Sequence, residues 1–430
     1  MLCLILCVFA LLAGAWLALV ALRKPWIVPV PGVRLAPARV LEPREAMAPD
    51  SGFLLLSNAV HSCGVVYPLP EVMMRAARTP PWSENAPTNL VALLEDAEPS
   101  LELGRRAARA PESQMPALPG DYARRISYVA FRKLVWCFEL SALRKAAGGD
   151  YAGSYDELRA MLGCAAILTR GGFRIDYMIG AAAVRRACAT ARRVAAWDAG
   201  AGAHSRRMSE FLRDYEAGLE PWAEAVRQEG VFAVRRVDTV FADGPPHYFD
   251  RRAARLLALG RLLGSTPAGA RRSCEAVCSH LIDAAQKPYD QAWYDRFDAT
   301  LECGILDMLV SQDPVGRLLA GMSMSSLSSG HRHWLAHRVD LRATALLLAI
   351  RLYEAQEGRL PASLQELVPE YIEAVPTDPF KESDPLRYDV ATNGVWRTRS
   401  VGANGVDDGG IGRDDGNGPD VVITSEPATE

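Results

Sequence analysis

The chain has 430 residues, of which 49% are hydrophobic and 23% are charged, and its formal net charge is -3 at pH 7. This length is sufficient for two or three hydrophobic cores. Because a dedicated nucleic-acid-binding protein usually carries a strongly basic face, the near-neutral charge argues against nucleic acid as a partner.

An uncharged, almost wholly apolar segment covers residues 2–22. At ~1.5 Å per helical residue it is long enough to cross a bilayer core of roughly 30 Å. The sequence therefore predicts a transmembrane anchor over residues 1–24. A cleaved signal peptide is the alternative interpretation, but the segment lacks the basic residues that normally precede the apolar part of a signal peptide.

The middle of the chain changes from a proline-rich to a helical pattern. Residues 25–118 are rich in proline, which fixes φ and removes a backbone donor, so they predict an extended stalk with short ordered pieces. One such piece is a short helix at 90–103. Residues 119–330 predict an all-α domain, because apolar residues recur there at helical spacing. Its predicted helices are 126–147, one opened by a capping box from Ser154 to Glu157, 176–197, 205–217, 221–240, 249–263, 268–286 and 289–310.

The last region, residues 331–430, predicts a small α+β module. A long helix at about 331–357 ends at Gly358, and a short helix follows at 362–367. Strands at 386–390 and 394–401 are separated by Asn393-Gly394, a strong hairpin signal, and a last strand is predicted at 420–424. The predicted fold class is therefore mainly α: an N-terminal transmembrane helix, an all-α helical domain, and a module with a long helix and a short antiparallel sheet.

Several short motifs follow one another in this module. They are Gly358-Arg-Leu-Pro361, Leu367-Val-Pro369-Glu-Tyr371, Val375-Pro376-x-Asp378-Pro379-Phe380 and Ser400-x-Gly402-x-x-Gly405. Their order and spacing resemble the globular head of the major pseudopilin of type II secretion, over roughly residues 335–426. The resemblance implies a similar α+β fold and, as in that family, a glycine–aspartate loop that binds calcium.

The chain departs from that family at its N-terminus. A pseudopilin has a cleavage site followed directly by a hydrophobic assembly helix that continues into the head, whereas here some three hundred residues separate the apolar segment from the module. Assembly into a pseudopilus is therefore not implied. The whole chain instead resembles large, uncharacterised envelope proteins that carry a pseudopilin-like C-terminus.

The predicted location is the inner membrane, with a single-pass anchor and most of the chain in the periplasm. Two signals disagree on the orientation. The resemblance implies that the module lies outside the cytoplasm, whereas Arg23 and Lys24 directly follow the apolar segment and basic residues favour the cytoplasmic side. The sequence leaves the orientation open.

The glycine–aspartate loop between Ser400 and Asp415 is the candidate metal site. Carboxylates crowded into a compact loop repel one another, and a divalent cation converts this repulsion into binding energy. No Cys follows Cys303 and no His follows His337, so only oxygen ligands are available, and these favour Ca²⁺, or less so Mg²⁺, over zinc. The candidate ligands are Asn404, Asp407, Asp408, Asp414, Asp415 and Asp420. The alternative is a solvated acidic loop without a metal.

A second group of possible ligands is His331, His333 and His337. No nearby carboxylate completes a metalloprotease motif, and the flanking arginines oppose a cation. These histidines are therefore interpreted as surface residues at the start of a helix.

The sequence predicts a membrane-anchored envelope protein of structural or interaction type, with a calcium-stabilised C-terminal module and no catalytic residues. A hydrolase with an unrecognised site in the helical domain is the alternative, and it requires a polar, titratable cleft. A third interpretation is an accessory component of a type II secretion-like system, with envelope or secretion proteins as partners.

Overall fold

The computed structural model describes residues 25–36, 48–65, 77–78, 88–111, 114–116, 126–198, 202–244, 251–304, 307, 310–324, 327–390, 395–410 and 420–424, with Gly14 and Ala18. The chain divides into two compact units. The first unit comprises residues 1–38 and 222–330, and the second comprises 39–221 and 331–430. This division differs from the predicted domains, since residues 25–118 and 119–330 are each split between the two units.

The described part of the chain is mainly helical, with two small antiparallel sheets. In chain order its helices are α1 (Gly52–Ser62), α2 (Thr88–Arg109), α3 (Tyr128–Ala147), α4 (Tyr151–Thr169), α5 (Arg174–Trp197), α6 (Ala203–Ala217), α7 (Trp222–Asp243), α8 (Arg251–Leu262), α9 (Pro267–Ala285), α10 (Gln291–Leu301), α11 (Pro314–Met324) and α12 (Leu327–Glu357). Its strands are β1 (Thr377–Asp378), β2 (Lys381–Pro385), β3 (Arg387–Val390), β4 (Trp396–Ser400) and β5 (Val421–Thr424).

The second unit contains α1 to α6, most of α12 and all five strands. Helix α2 corrects the prediction of an extended stalk, because it runs for 22 residues instead of forming a short piece. Its residues Leu90, Leu94 and Leu101 are buried. The periodic apolar face therefore outweighs the helix-breaking tendency of Pro99, which lies inside the helix.

Helix α4 begins earlier than the predicted capping box. Asp150 is its N-cap, and the Asp150 carboxylate accepts a hydrogen bond from the Gly153 backbone N–H at 2.8 Å. Ser154 and Glu157 are instead buried within the helix. The capping-box interpretation was wrong because an acidic residue one turn upstream already satisfies the exposed N–H groups.

The C-terminal part of the second unit follows its predicted order. Helix α12 ends at Glu357, and Gly358 follows it at a φ of 68°, which a glycine adopts without strain. The predicted short helix appears as a 3₁₀ turn over Leu364–Leu367. Strands β1 and β2 form one antiparallel sheet, and β3, β4 and β5 form another in that order. The predicted hairpin is confirmed as β3–β4, although its turn residues Asn393-Gly394 lie outside the described residues.

The first unit contains α7 to α11 and an extended segment at 25–36. Three side chains of α9 contact this segment, one of them His280, whose Nε2 lies 2.9 Å from the Val28 carbonyl oxygen. The Trp26 indole N–H donates to Ser273 Oγ at 3.2 Å, and the Val30 backbone N–H donates to Ser279 Oγ at 2.8 Å. Helix α10 ends at Leu301, short of the predicted 289–310, because Glu302 has an extended backbone conformation.

The prediction of a transmembrane helix is corrected by the structure. Within the ranges that the structure describes, no helix is both long and apolar enough to cross a membrane. Of the predicted span at 2–22, only Gly14 and Ala18 belong to those ranges. The fold class is thus mainly α with two small antiparallel sheets. The predictions of a single-pass anchor and an inner-membrane location are withdrawn with the helix.

Candidate functional site

A buried aspartate organises the strand region from which the glycine–aspartate loop emerges. The Asp378 side chain is fully buried. Its carboxylate accepts hydrogen bonds from the Ser400 hydroxyl at 2.7 Å, the Val401 backbone N–H at 2.8 Å and the Phe380 backbone N–H at 3.0 Å. Asp378 therefore ties β1 to the end of β4, where the loop begins.

The loop is closed by Asp420, which is also fully buried. Its Oδ2 accepts from the Gly410 backbone N–H at 2.7 Å, and its Oδ1 accepts from the Asp408 backbone N–H at 3.3 Å. Gly410 has a φ of 85°, so this turn needs a residue without a Cβ atom. The structure thus brings Asp420 next to the residues that precede it by ten and twelve positions.

Asn404 joins the same group. Its side-chain Nδ2 donates to Asp408 Oδ2 at 2.7 Å, and its Oδ1 accepts from the Val406 backbone N–H at 3.1 Å. Asn404 is thereby joined to Asp408, whose backbone N–H donates to Asp420. All three side chains contain oxygen atoms, the ligand type that Ca²⁺ prefers, although the Asn404 amide turns its nitrogen towards Asp408.

Asp407 faces a different environment. Its Oδ2 lies 3.0 Å from Arg387 Nε, and its Oδ1 pairs with Arg399. The Gly409 backbone N–H, which donates to Oδ1 at 3.0 Å, together with Arg399 and Arg387, holds the pKa of Asp407 below its ordinary value. A carboxylate already neutralised by two guanidinium groups does not fit the role of a calcium ligand.

The fit of a cation to the six predicted ligands is therefore partial. Asn404, Asp408 and Asp420 lie along one turn, but Asp420 accepts from two backbone N–H groups and Asn404 turns its amide nitrogen to Asp408. Asp407 does not fit, and Asp414 and Asp415 lie outside the described residues. Within the described ranges alone, no group of three or more His, Cys, Asp or Glu side chains is placed to hold a metal.

The interpretation of the histidines as surface residues was wrong for two of them. His331 and His337 are buried on α12, and burial lowers their pKa values to about 4 and about 3. The Tyr177 hydroxyl lies 3.0 Å from His337 Nδ1. The sequence pattern missed this because α12 is covered by other elements around most of its circumference, so its few polar residues are enclosed.

The second unit also contains a polar groove that the sequence analysis did not identify. Its centre is Glu157, whose side chain is 1% exposed. The Glu157 carboxylate accepts from Arg105 Nη2 at 2.7 Å and Nε at 3.1 Å, from Lys145 Nζ at 2.5 Å and from Ser141 Oγ at 3.1 Å. Four donors from α2 and α3 thus converge on one carboxylate of α4.

A signal for this groove was present in the sequence of α2. Its acidic residues Glu95, Glu98 and Glu102 precede its basic residues Arg105, Arg106 and Arg109. The segregation of charge along one helix was overlooked because the segment was interpreted as part of a stalk.

No protein-family model matches this chain, and neither does any curated protein or any solved structure. The resemblance of the module to a pseudopilin head therefore stays a prediction.

Proposed function

We propose that this chain is a structural or interaction protein whose C-terminal α+β module is stabilised by calcium bound in the loop between Asn404 and Asp420. The observation that carries the proposal is the convergence of Asn404, Asp408 and Asp420 around one turn. The predicted ligand set is narrowed by the exclusion of Asp407.

The three residues have distinct parts in this proposal. Asp420 stands at the start of β5 and holds the turn through backbone N–H groups. Asp408 and Asn404 present their side chains on the exposed side of the same turn. A bound calcium ion would supply positive charge beside the Asp408 carboxylate and so link the loop to the last strand, with the Asn404 amide turning its oxygen towards the ion.

The test is thermal unfolding of the full chain in excess calcium and in excess chelator. A ligand that binds only the folded state at one hundred times its Kd stabilises that state by about 2.7 kcal/mol. We expect calcium to raise the melting temperature of the wild-type chain, and we expect Asp408→Asn to remove most of that increase.

The matched control is Asp407→Asn, which removes the neighbouring carboxylate. Since Asp407 pairs with Arg387 and Arg399, this variant should lose some stability with or without calcium and keep the calcium-dependent increase. A wild-type chain that melts at the same temperature in calcium and in chelator would refute the calcium site.

The hydrolase alternative gains a polar, titratable cleft from the groove around Glu157. However, the Ser141 hydroxyl in this groove donates to Glu157, which also accepts from Lys145 and Arg105. The Glu157 carboxylate and the Ser141 hydroxyl are thus already engaged, and no His is among the described residues that line the groove. The arrangement therefore favours ligand binding over hydrolysis.

A further inference from the structure

Two adjoining cavities form a groove along α2 in the second unit. One has a volume of about 630 Å³ and the other of about 510 Å³, and Glu98 and Lys145 line both. The groove extends from Leu94 at one end to Arg109 at the other. At ~1.5 Å per helical residue, these ends are separated by roughly 20 Å.

The floor of the groove is rigid. Glu157 is anchored by Arg105, Lys145 and Ser141, as described above. Beside it, α2 and α4 approach so closely that a Cβ atom on Gly163 would lie 2.5 Å from the Ala108 Cβ atom. A preformed groove of this kind spends little binding energy on ordering its own side chains.

The two ends of the groove carry opposite charge. At the Leu94 end, the carboxylates of Glu95, Glu98 and Asp150 outnumber the cations of Arg144 and Lys145, and Lys145 is paired with Glu157. Glu95 and Asp150 are exposed, so they can take a cationic partner without losing a buried contact.

At the other end, the four cations of Arg105, Arg109, Lys145 and Arg159 outnumber the three carboxylates of Glu98, Asp156 and Glu157. Arg109 is 71% exposed, and its contact with Glu102 is long at 3.8 Å. Arg159 pairs with Asp156 alone among the described ion pairs. Both arginines therefore retain N–H groups that can bind an anion.

We propose that this groove binds a short extended peptide segment of a partner protein, with the basic end of the segment over Glu95 and Asp150 and the acidic end over Arg109 and Arg159. At ~3.3 Å per residue, about six extended residues span the roughly 20 Å between the charged ends. A free amino acid is too short to reach both ends. Phe211, which lines the basic end, offers an apolar surface for the aliphatic part of a side chain.

The test uses the full chain and two fluorescent hexapeptides with blocked termini. One peptide has the order Lys-Lys-Ala-Ala-Glu-Glu, and the other has the order Lys-Glu-Ala-Ala-Lys-Glu, with the same composition but no separation of charge. Fluorescence anisotropy should show about tenfold tighter binding of the first peptide. Since several exposed ion pairs supply the difference, it should shrink when salt is raised.

Two variants and one control localise the site. Arg109→Gln and Glu95→Gln should each weaken binding of the first peptide about threefold, which is the effect of one exposed ion pair. Arg106→Gln is the matched control, since Arg106 is exposed on the same helix but does not line the groove. The Kd of Arg106→Gln for the first peptide should equal that of the wild type.

A charge-reversed chain makes the test stricter. The double variant Arg109→Glu and Arg159→Glu should lose the preference for the charge-separated peptide. Circular dichroism of this chain should match the wild type, because Arg109 is exposed and Arg159 is partly exposed.

Three outcomes would overturn the proposal. They are equal binding of the two peptides by the wild type, binding only of a free amino acid, and an equal loss of peptide binding in Arg106→Gln and Arg109→Gln. The addition of chelator should leave peptide binding unchanged, which separates this site from the calcium loop.

Discussion

The helical and strand regions of the second unit differ in how they satisfy the hydrogen bonds of a buried carboxylate. Each buries a carboxylate almost completely: Glu157 on α4 is 1% exposed and Asp378 in β1 is 0% exposed. Glu157 is satisfied by the side chains of Arg105, Lys145 and Ser141, whereas Asp378 is satisfied mostly by backbone N–H groups.

The difference follows from how many backbone N–H groups each region has available as donors. In a helix the N–H groups are used by the carbonyl groups four residues earlier, so a buried carboxylate must be paired by side chains from neighbouring helices. In short strands and turns, N–H groups such as those of Phe380 and Val401 remain available. In the helical region, the side chains that pair with Glu157 are charged and partly exposed at the groove. In the strand region, the groups that pair with Asp378 carry no charge.

The largest effect is expected from Asp378→Ala. This change leaves the N–H groups of Phe380 and Val401 and the Ser400 hydroxyl without their acceptor, and Ser400 is 1% exposed. At 1–3 kcal/mol for each buried donor that loses its partner, the free energy of unfolding should fall by about 4 kcal/mol. Urea denaturation measures the loss, and amide hydrogen exchange at Val401 should accelerate. Asp378→Asn should lose less, because its amide oxygen still accepts.

A smaller loss is expected from Glu157→Ala. Breaking a buried ion pair costs about 3–5 kcal/mol when the remaining charge stays buried. Here the remaining cations reach solvent, since the side chains of Arg105 and Lys145 are 19% and 36% exposed. We therefore expect a loss of about 3 kcal/mol by urea denaturation.

Glu98→Gln is the matched control for this change. Glu98 also pairs with Arg105 but is 57% exposed, so its loss should cost less than about 1 kcal/mol. If both variants lose equal stability, the contrast between buried and exposed partners of Arg105 is wrong.

The sequence predicted many features of the strand region but few features of the helical region. The hairpin β3–β4, the stop at Gly358 and the last strand were predicted because turn residues and alternating patterns act over a few positions. In the same way, Asn404, Asp408 and Asp420 were predicted to be neighbours, as the loop between them is short.

The remaining features depend on partners that are distant in the sequence. Arg105 and Glu157 are 52 positions apart, and no local pattern indicates their pairing. Asp407 was predicted as a metal ligand because the sequence did not show its two arginine partners. Arg387 and Arg399 lie on strands whose register cannot be derived from one sequence. The burial of His337 likewise follows from the packing of α12 and not from its own composition.

Acid should weaken the helical region before the strand region. Burial lowers the pKa values of His331 and His337, so the folded state favours their neutral forms. This stabilisation is fully present above the ordinary pKa of about 6.5 and is lost as the pH falls from there towards 4 and 3. Near pH 5 the loss is about 2 kcal/mol for each histidine relative to pH 8.

Urea denaturation near pH 8 and near pH 5 measures this loss. His337→Gln should remove the contribution of that residue and give a shallower dependence on pH than the wild type. The lowered pKa of Asp407 in the loop acts in a lower window, because its stabilisation is lost only as the pH falls below about 4. Equal pH dependence of His337→Gln and the wild type would show that His337 is accessible to water in the folded state.

The smallest effect is expected from Asp407→Asn in the absence of calcium. Asp407 pairs with Arg387 and Arg399 at the surface, where water and salt screen the attraction. Differential scanning calorimetry should show a decrease in melting temperature of about 2 °C or less at low salt, and almost none at about 0.5 M salt. A decrease that is as large as that of Glu157→Ala and insensitive to salt would place Asp407 with the buried carboxylates. Two arginines around an exposed aspartate would then stabilise the fold as strongly as the enclosed network in the helices, and the distinction between the two regions would not hold.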